Sequence, residues 1–157
     1  MKIFLDIDGV MVHGNPHQQV EIDDDGFYKF ISKAVDFINS IDSEEIILST
    51  SHRHRYDLNE WEIIFMKRGV KFNKISKIEY GYFHNVSRRT EIENWIESKH
   101  YQYNEIIIID DDKSLNGLSK ELKDRVILTS SYYGLHEDNN KDLERILNST
   151  NKELTGL

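Results

Sequence analysis

Ile3-Phe4-Leu5, followed at once by Asp6-Ile7-Asp8-Gly9-Val10, sets the architecture of this chain. An apolar run of that kind reads as a buried strand, so Asp6 falls where the strand ends and Gly9 lets the chain turn away. In a strand-like segment residues i and i+2 share a face, so Asp6 and Asp8 address one small volume at the sheet edge. That crowding needs a counter-charge. A divalent cation supplies one, and Mg2+ is the natural candidate because it prefers oxygen ligands and keeps several waters. Taken alone, the pair reads equally well as a solvated turn.

The pattern recurs at two later strand ends. Glu45-Ile46-Ile47-Leu48-Ser49 runs into Thr50-Ser51-His52-Arg53, and Glu105-Ile106-Ile107-Ile108-Ile109 runs into Asp110-Asp111-Asp112. Stretches with helical spacing lie between them. Phe27, Phe30, Ile31, Ala34, Val35, Phe37, Ile38 and Ile41 predict a first helix capped by Asp24 or Asp25. Asp57 is placed to cap a second helix bearing Leu58, Trp61, Ile64 and Phe65, which Gly69 closes. Ser87 is placed to cap a third, carrying Ile92, Trp95 and Ile96. Val70-Lys71-Phe72 reads as a short strand, Val126-Ile127-Leu128 as another, and Leu143, Ile146 and Leu147 as a final helix. Strands alternating with helices imply right-handed crossovers and a three-layer α/β fold, a parallel sheet with helices on both faces. Ligands of such sheets bind outside the carboxyl ends of the strands, so all three polar clusters fall on one edge. The expected organisation is one domain over 1–148 with a frayed tail, 149–157, that lacks an apolar face.

Composition narrows the functional classes. No apolar run approaches the roughly 18 residues that span a bilayer, so no membrane association is expected. The start is already strand and turn, which predicts no signal peptide and a cytoplasmic protein. Cysteine is absent, which excludes disulfides and thiolate metal sites. A net charge of −8 argues against a broadly cationic nucleic-acid groove. It leaves room for a local patch: from Lys67 to Lys77 there are five basic residues and no acids, either a polynucleotide-backbone contact or a solvated face. Glu21 to Ser32 imitates a calcium loop, but Ser32 stands where a bidentate Glu is required, and His13 and His17 flank a loop turn without a partner pattern.

The strand-end clusters resemble the haloacid dehalogenase (HAD) superfamily of phosphohydrolases. Asp6 and Asp8 match its first motif, Thr50 its second with Ser49 or Ser51 as fallback, Arg88 or Arg89 its third, and Asp110 with Asp111 its fourth. LSTSHR, RRTEIENWI, IIIIDDD and Tyr133-Gly134-Leu135 resemble, more narrowly, the HAD domains associated with Swiss Army knife RNA-repair proteins. The resemblance implies a Rossmann-like core and covers residues 2 to about 135. Asp6 is then the nucleophile, a carboxylate that needs no activating base, and Asp8 the general acid and base. Thr50 donates to the transferring phosphoryl group and Arg88 neutralises it; Arg88 is preferred to Arg89 because it lies one turn before Ile92, on the buried face. The resemblance assigns Mg2+ to Asp6, the backbone carbonyl of Asp8 and an acid of the Asp110-Asp111 pair. Gly9, Ser51, Arg53 and Arg89 are the expected substrate contacts, a structural salt bridge being the alternative for Arg53.

The substrate class follows from what the connections lack. Neither the segment after the first motif nor that between Thr50 and Arg88 holds a full cap domain. An open site favours a large phosphorylated substrate, such as a polynucleotide end, with the 3′-phosphate one option beside the 5′, or a phosphoprotein. A small-nucleotide phosphatase is the alternative enzyme, and a phosphate-binding interaction module without turnover the alternative class.

Overall fold

A computed structural model describes residues 1–79 and 86–156. Five strands, β1 (Lys2–Leu5), β2 (Glu45–Leu48), β3 (Ile75–Lys77), β4 (Ile106–Asp110) and β5 (Val126–Leu128), form one sheet in the order β3-β2-β1-β4-β5. Every adjacent pair is parallel. The helices are α1 (Ser32–Asn39), α2 (Leu58–Lys67), α3 (Arg88–Lys99), α4 (Lys120–Lys123) and α5 (Asn140–Thr155). Strand alternation separates two cores. Ile3, Leu5, Ile46, Leu48, Ile107 and Ile109 pack with residues of α1, α2 and α5, whereas Phe4, Ile47, Ile106 and Ile108 pack with residues of α3 and α4. The three central strands are therefore apolar on both faces, as a doubly covered parallel sheet requires. None of the described helices is long and apolar enough to cross a membrane.

Register brings the strand ends level. Leu5 pairs with Leu48 on one side and Ile109 on the other, and the ladder runs one residue further through Asp6 N–H to Ile109 O (3.1 Å) and Ser49 N–H to Leu5 O (3.1 Å). Asp6, Ser49 and Asp110 thus end their strands side by side. By alternation all three share the face of Phe4, Ile47 and Ile108, the one covered by α3.

Three local expectations need correction. The first helix begins at Ser32, not near Phe27. Asp25 Oδ1 accepts from Phe27 N–H (3.0 Å) and Gly26 takes φ +84°, so the chain turns back. Bonds between Asp23 and Phe27 and between Lys29 and Glu21 then make a small hairpin, whose aromatics reach the core without a helix. The third strand lies at Ile75–Lys77, not at Val70-Lys71-Phe72. Val70 instead completes the end of α2: Gly69 N–H bonds Met66 O, Val70 N–H bonds Phe65 O, and Gly69 has φ +78°. The tail expected to fray from 149 is helical to Thr155. Thr150 Oγ1 reaches Ile146 O at 3.0 Å, and Ile146, fully buried, anchors that turn.

Candidate active site

Asp6, Asp110 and Asp111 bring ligand oxygens within 4.8 Å of one another. The first two are almost wholly buried, because each closes a central strand under the loops that follow. Burial first, and then the charge of Asp6, pushes the Asp110 carboxyl up to about 8 and that of Asp111 up to about 6. Among the described residues, the cation these three carboxylates meet is Arg88. Its Nη1 lies 2.9 Å from Asp110 Oδ2 and 3.3 Å from Asp6 Oδ1. Burial alone would lower the Arg88 pKa, but Asp110 and Asp6 raise it, so it stays charged. The third acid of the run serves the backbone: Asp112 N–H donates to Asp110 Oδ1, and the Asp112 carboxylate caps the short turn Lys113–Gly117 by accepting from Ser114 N–H.

Arg88 reaches inward because it opens α3, whose Ser87 cap accepts from Thr90 N–H, and because it lies one turn before buried Ile92. Arg89 points elsewhere. Its Nη1 donates to Gly117 O and its Nε lies 3.5 Å from Glu93, on the outer side of α3. The expected substrate role of Arg89 is thereby corrected: the 100° step between neighbouring helical residues carries its head away from Asp6.

At the end of β2, Thr50 is fully buried and its Oγ1 accepts from His52 N–H (3.2 Å), capping the turn Ser51–His54. Ser51 opens that turn exposed to solvent. Ser49 is also fully buried, and its hydroxyl has no partner among the described residues. Arg53, expected to contact substrate, is corrected by its bonds. Only 4% exposed, it donates to Ile78 O (2.8 Å) and Thr50 O (3.1 Å) and pairs with Glu91 of α3. Its guanidinium clamps the ends of β2 and β3 to the helix that carries Arg88.

Asp8 lies outside the acid trio. Its carboxylate is 53% exposed, and Oδ2 sits 2.7 Å from His52 Nε2. The turn that carries Asp8, Ile7 to Val12, is held by one carbonyl, Ile7 O, which accepts from the amides of Val10, Met11 and Val12. Gly9 takes φ +73°, and a Cβ built there would meet Asp111, with Cγ at 2.7 Å. Asp111 can cover the turn only because Gly9 has no side chain. Gly9 O accepts from Thr129 Oγ1 (2.7 Å), and Thr129 N–H donates to Asp110 O (2.9 Å), so the end of β5 ties the first turn to the last acid pair. Sequence reasoning placed His52 at this edge without giving it a role, and missed Thr129. Thr129 follows an apolar strand as Thr50 does, and the same edge rule would have found it.

The basic stretch does not form a track beside these acids. Lys67 pairs with Asp23 and Asp24 and Arg68 with Asp25, holding the hairpin onto α2. Lys71 and Lys74 precede β3 in a parallel sheet and so lie toward the edge opposite Asp6, where Lys74 is 3.8 Å from Glu45. Lys77, at the carboxyl end of β3, donates to Tyr56 O.

The donor set fits a hard divalent cation: all oxygen, an excess of carboxylates over cations, and two acids whose pKa values are raised by burial and by the charge of Asp6. Asp6, Asp110 and Asp111 would hold it. A family model for the HAD domain in Swiss Army Knife RNA repair proteins matches residues 2–140. No curated protein matches the sequence.

Proposed function

The chain belongs to the family of HAD domains in Swiss Army Knife RNA repair proteins, and from that membership we propose that it is a Mg2+-dependent phosphomonoester hydrolase acting through an aspartyl-phosphate. The observation that carries this reading is the meeting of Asp6, Asp110, Asp111 and Arg88 at one buried edge, with Asp8 on its open side. Asp6 attacks phosphorus and displaces the leaving oxygen, to which Asp8 gives a proton. Asp8, now a carboxylate, takes a proton from the water that attacks the phosphorylated Asp6, and inorganic phosphate departs. Arg88 neutralises the phosphoryl oxygens, and the Thr50 hydroxyl donates to one of them while it accepts from His52 N–H. The ion, when bound, shields the phosphoryl charge from the nucleophile.

The substrate we infer is a polynucleotide end. Family membership supports it, as does the lack of a separate covering domain among the described residues after β1 and after β2. Tyr132 and Tyr133, 44% and 63% exposed, follow β5 at the same edge, next to Ser131, whose Cα lies 3.1 Å from a Cβ built on Gly9. Exposed rings beside a phosphoryl site suit an unpaired base. A small nucleotide is the second reading, favoured by the lack of a basic track at the site among the described residues. Phosphate release from an aryl phosphate, from 3′- and 5′-phosphorylated oligonucleotides and from free nucleotides tests both. Oligonucleotide ends are expected to rank first by kcat/KM, with activity lost to chelator, restored by Mg2+ and poorly supported by Ca2+. Full activity in excess chelator would overturn the metal reading; free nucleotides ranking first would overturn the polynucleotide reading.

A further inference from the structure

We propose that His52 is the positioning residue for Asp8, holding one carboxylate oxygen so that the other faces the leaving group. The proposal rests on the reading of Asp8 as general acid. An exposed Asp at the tip of a turn has two free torsions, and proton transfer requires its oxygen within hydrogen-bond reach of the leaving atom. Asp8 is more than half exposed and outside the acid trio, and among the described residues the side chain that holds its carboxylate is His52. Its Nε2 is 2.7 Å from Asp8 Oδ2, and among the described residues Oδ1 has no partner. One oxygen is anchored and one remains for chemistry.

The anchor is itself held at both ends. The backbone of His52 donates to Thr50 Oγ1, so the residue that would bind the phosphoryl group also sets where the imidazole starts. The ring stands edge-on to Phe27 (centroids 5.7 Å apart, 82° between planes) and to Tyr28 (5.6 Å, 85°). Phe27 is 1% exposed and packs edge-on against Trp61, whose Nε1 donates to Arg53 O. A route of contacts thus runs from the core between the hairpin and α2, through His52, to Asp8. The hairpin that replaced the predicted start of the first helix is what supplies Phe27 and Tyr28 to this wall. Orientation of a general acid is worth part of the roughly 10²–10⁴-fold that acid catalysis contributes, and it matters most where the leaving group cannot depart without a proton.

The test compares kcat/KM, which reports the step that transfers phosphoryl to Asp6, for 4-nitrophenyl phosphate and for phenyl phosphate in Mg2+. His52→Phe fills the aromatic wall without the donor; His52→Gln restores an N–H near the Nε2 position. His52→Phe is expected to lose on the order of 100-fold on phenyl phosphate but under about 10-fold on 4-nitrophenyl phosphate, whose leaving oxygen needs less protonation. His52→Gln is expected to recover most of the phenyl phosphate rate. Equal losses on both substrates, or a Gln variant no better than Phe, would overturn the positioning role. Asp8→Asn is the control that separates the two layers. If it shows no leaving-group dependence, the reading of Asp8 as general acid fails; if it shows one and the His52 variants do not, only the present inference fails. A wild type that turns over neither ester overturns both.

Discussion

Two adjacent hydroxyls at the end of β2 have opposite fates. Ser49 Oγ is buried without a partner among the described residues, while Thr50 Oγ1 caps the turn that presents His52. An unsatisfied buried hydroxyl costs stability, so Ser49→Ala should unfold at equal or higher urea and keep its activity. Thr50→Val should lower kcat/KM by about 10²-fold if its hydroxyl donates to the transferring phosphoryl group. Steady-state kinetics and urea midpoints check both, and a crippled Ser49→Ala would move the phosphoryl donor to Ser49. Gly9→Ala forces a Cβ into Asp111 at a φ that costs ordinary residues about 1–2 kcal/mol, and should lose both stability and turnover. Asp6, Asp110 and Thr50 were legible from sequence because a strand end fixes position by burial alone. The directions of Arg53, Arg89 and His52 were not, since each depends on a partner from a distant segment: Glu91, Gly117 and Asp8.

At the scale of elements, the hairpin and α2 are joined by charge. Arg68, 3% exposed at its side chain, donates to both oxygens of Asp25 (2.7 and 2.8 Å) and to Tyr28 O. The Arg68 hydrogen bonds hold the Asp25 carboxyl down at about 2, below its ordinary 3.8. A carboxyl depressed in the folded state binds its proton more tightly when unfolded. Its contribution is therefore complete above about pH 4 and lost as pH falls towards 2. Urea midpoints across pH 2–6 should show Asp25→Asn less stable than wild type at pH 6, with the gap closing towards pH 2; a gap constant with pH would contradict the pair. Arg68→Met should cost about 1.5–3 kcal/mol at pH 7, the range for hydrogen bonds to a charged group. Ser87, Asp57 and Gly69 were readable as helix ends because capping is a local matter between neighbours. The start of α1 was misread for the opposite reason: Phe27, Phe30 and Ile31 keep helical spacing, but a hairpin turn at Asp25-Gly26, pinned by Arg68 from 43 residues away, delivers them to the same core.

For the whole molecule, the parallel sheet decides which charges share a neighbourhood with the acids. Lys71 and Lys74 lie toward the amino edge, so the double variant Lys71→Glu/Lys74→Glu should leave KM for phosphorylated oligonucleotides within about twofold of wild type. A large rise would restore the basic stretch as a backbone contact. Sequence composition could not separate the two edges, because five basic residues in one run look alike until β3 divides them. The measurement that tests covalent catalysis at Asp6 most directly is a rapid acid quench during turnover of a 32P-labelled phosphomonoester in Mg2+, followed by peptide mapping. A base-labile label is predicted on the peptide containing Asp6, with both label and turnover absent from folded Asp6→Asn. Metal-dependent turnover that leaves no label and survives in Asp6→Asn would contradict it.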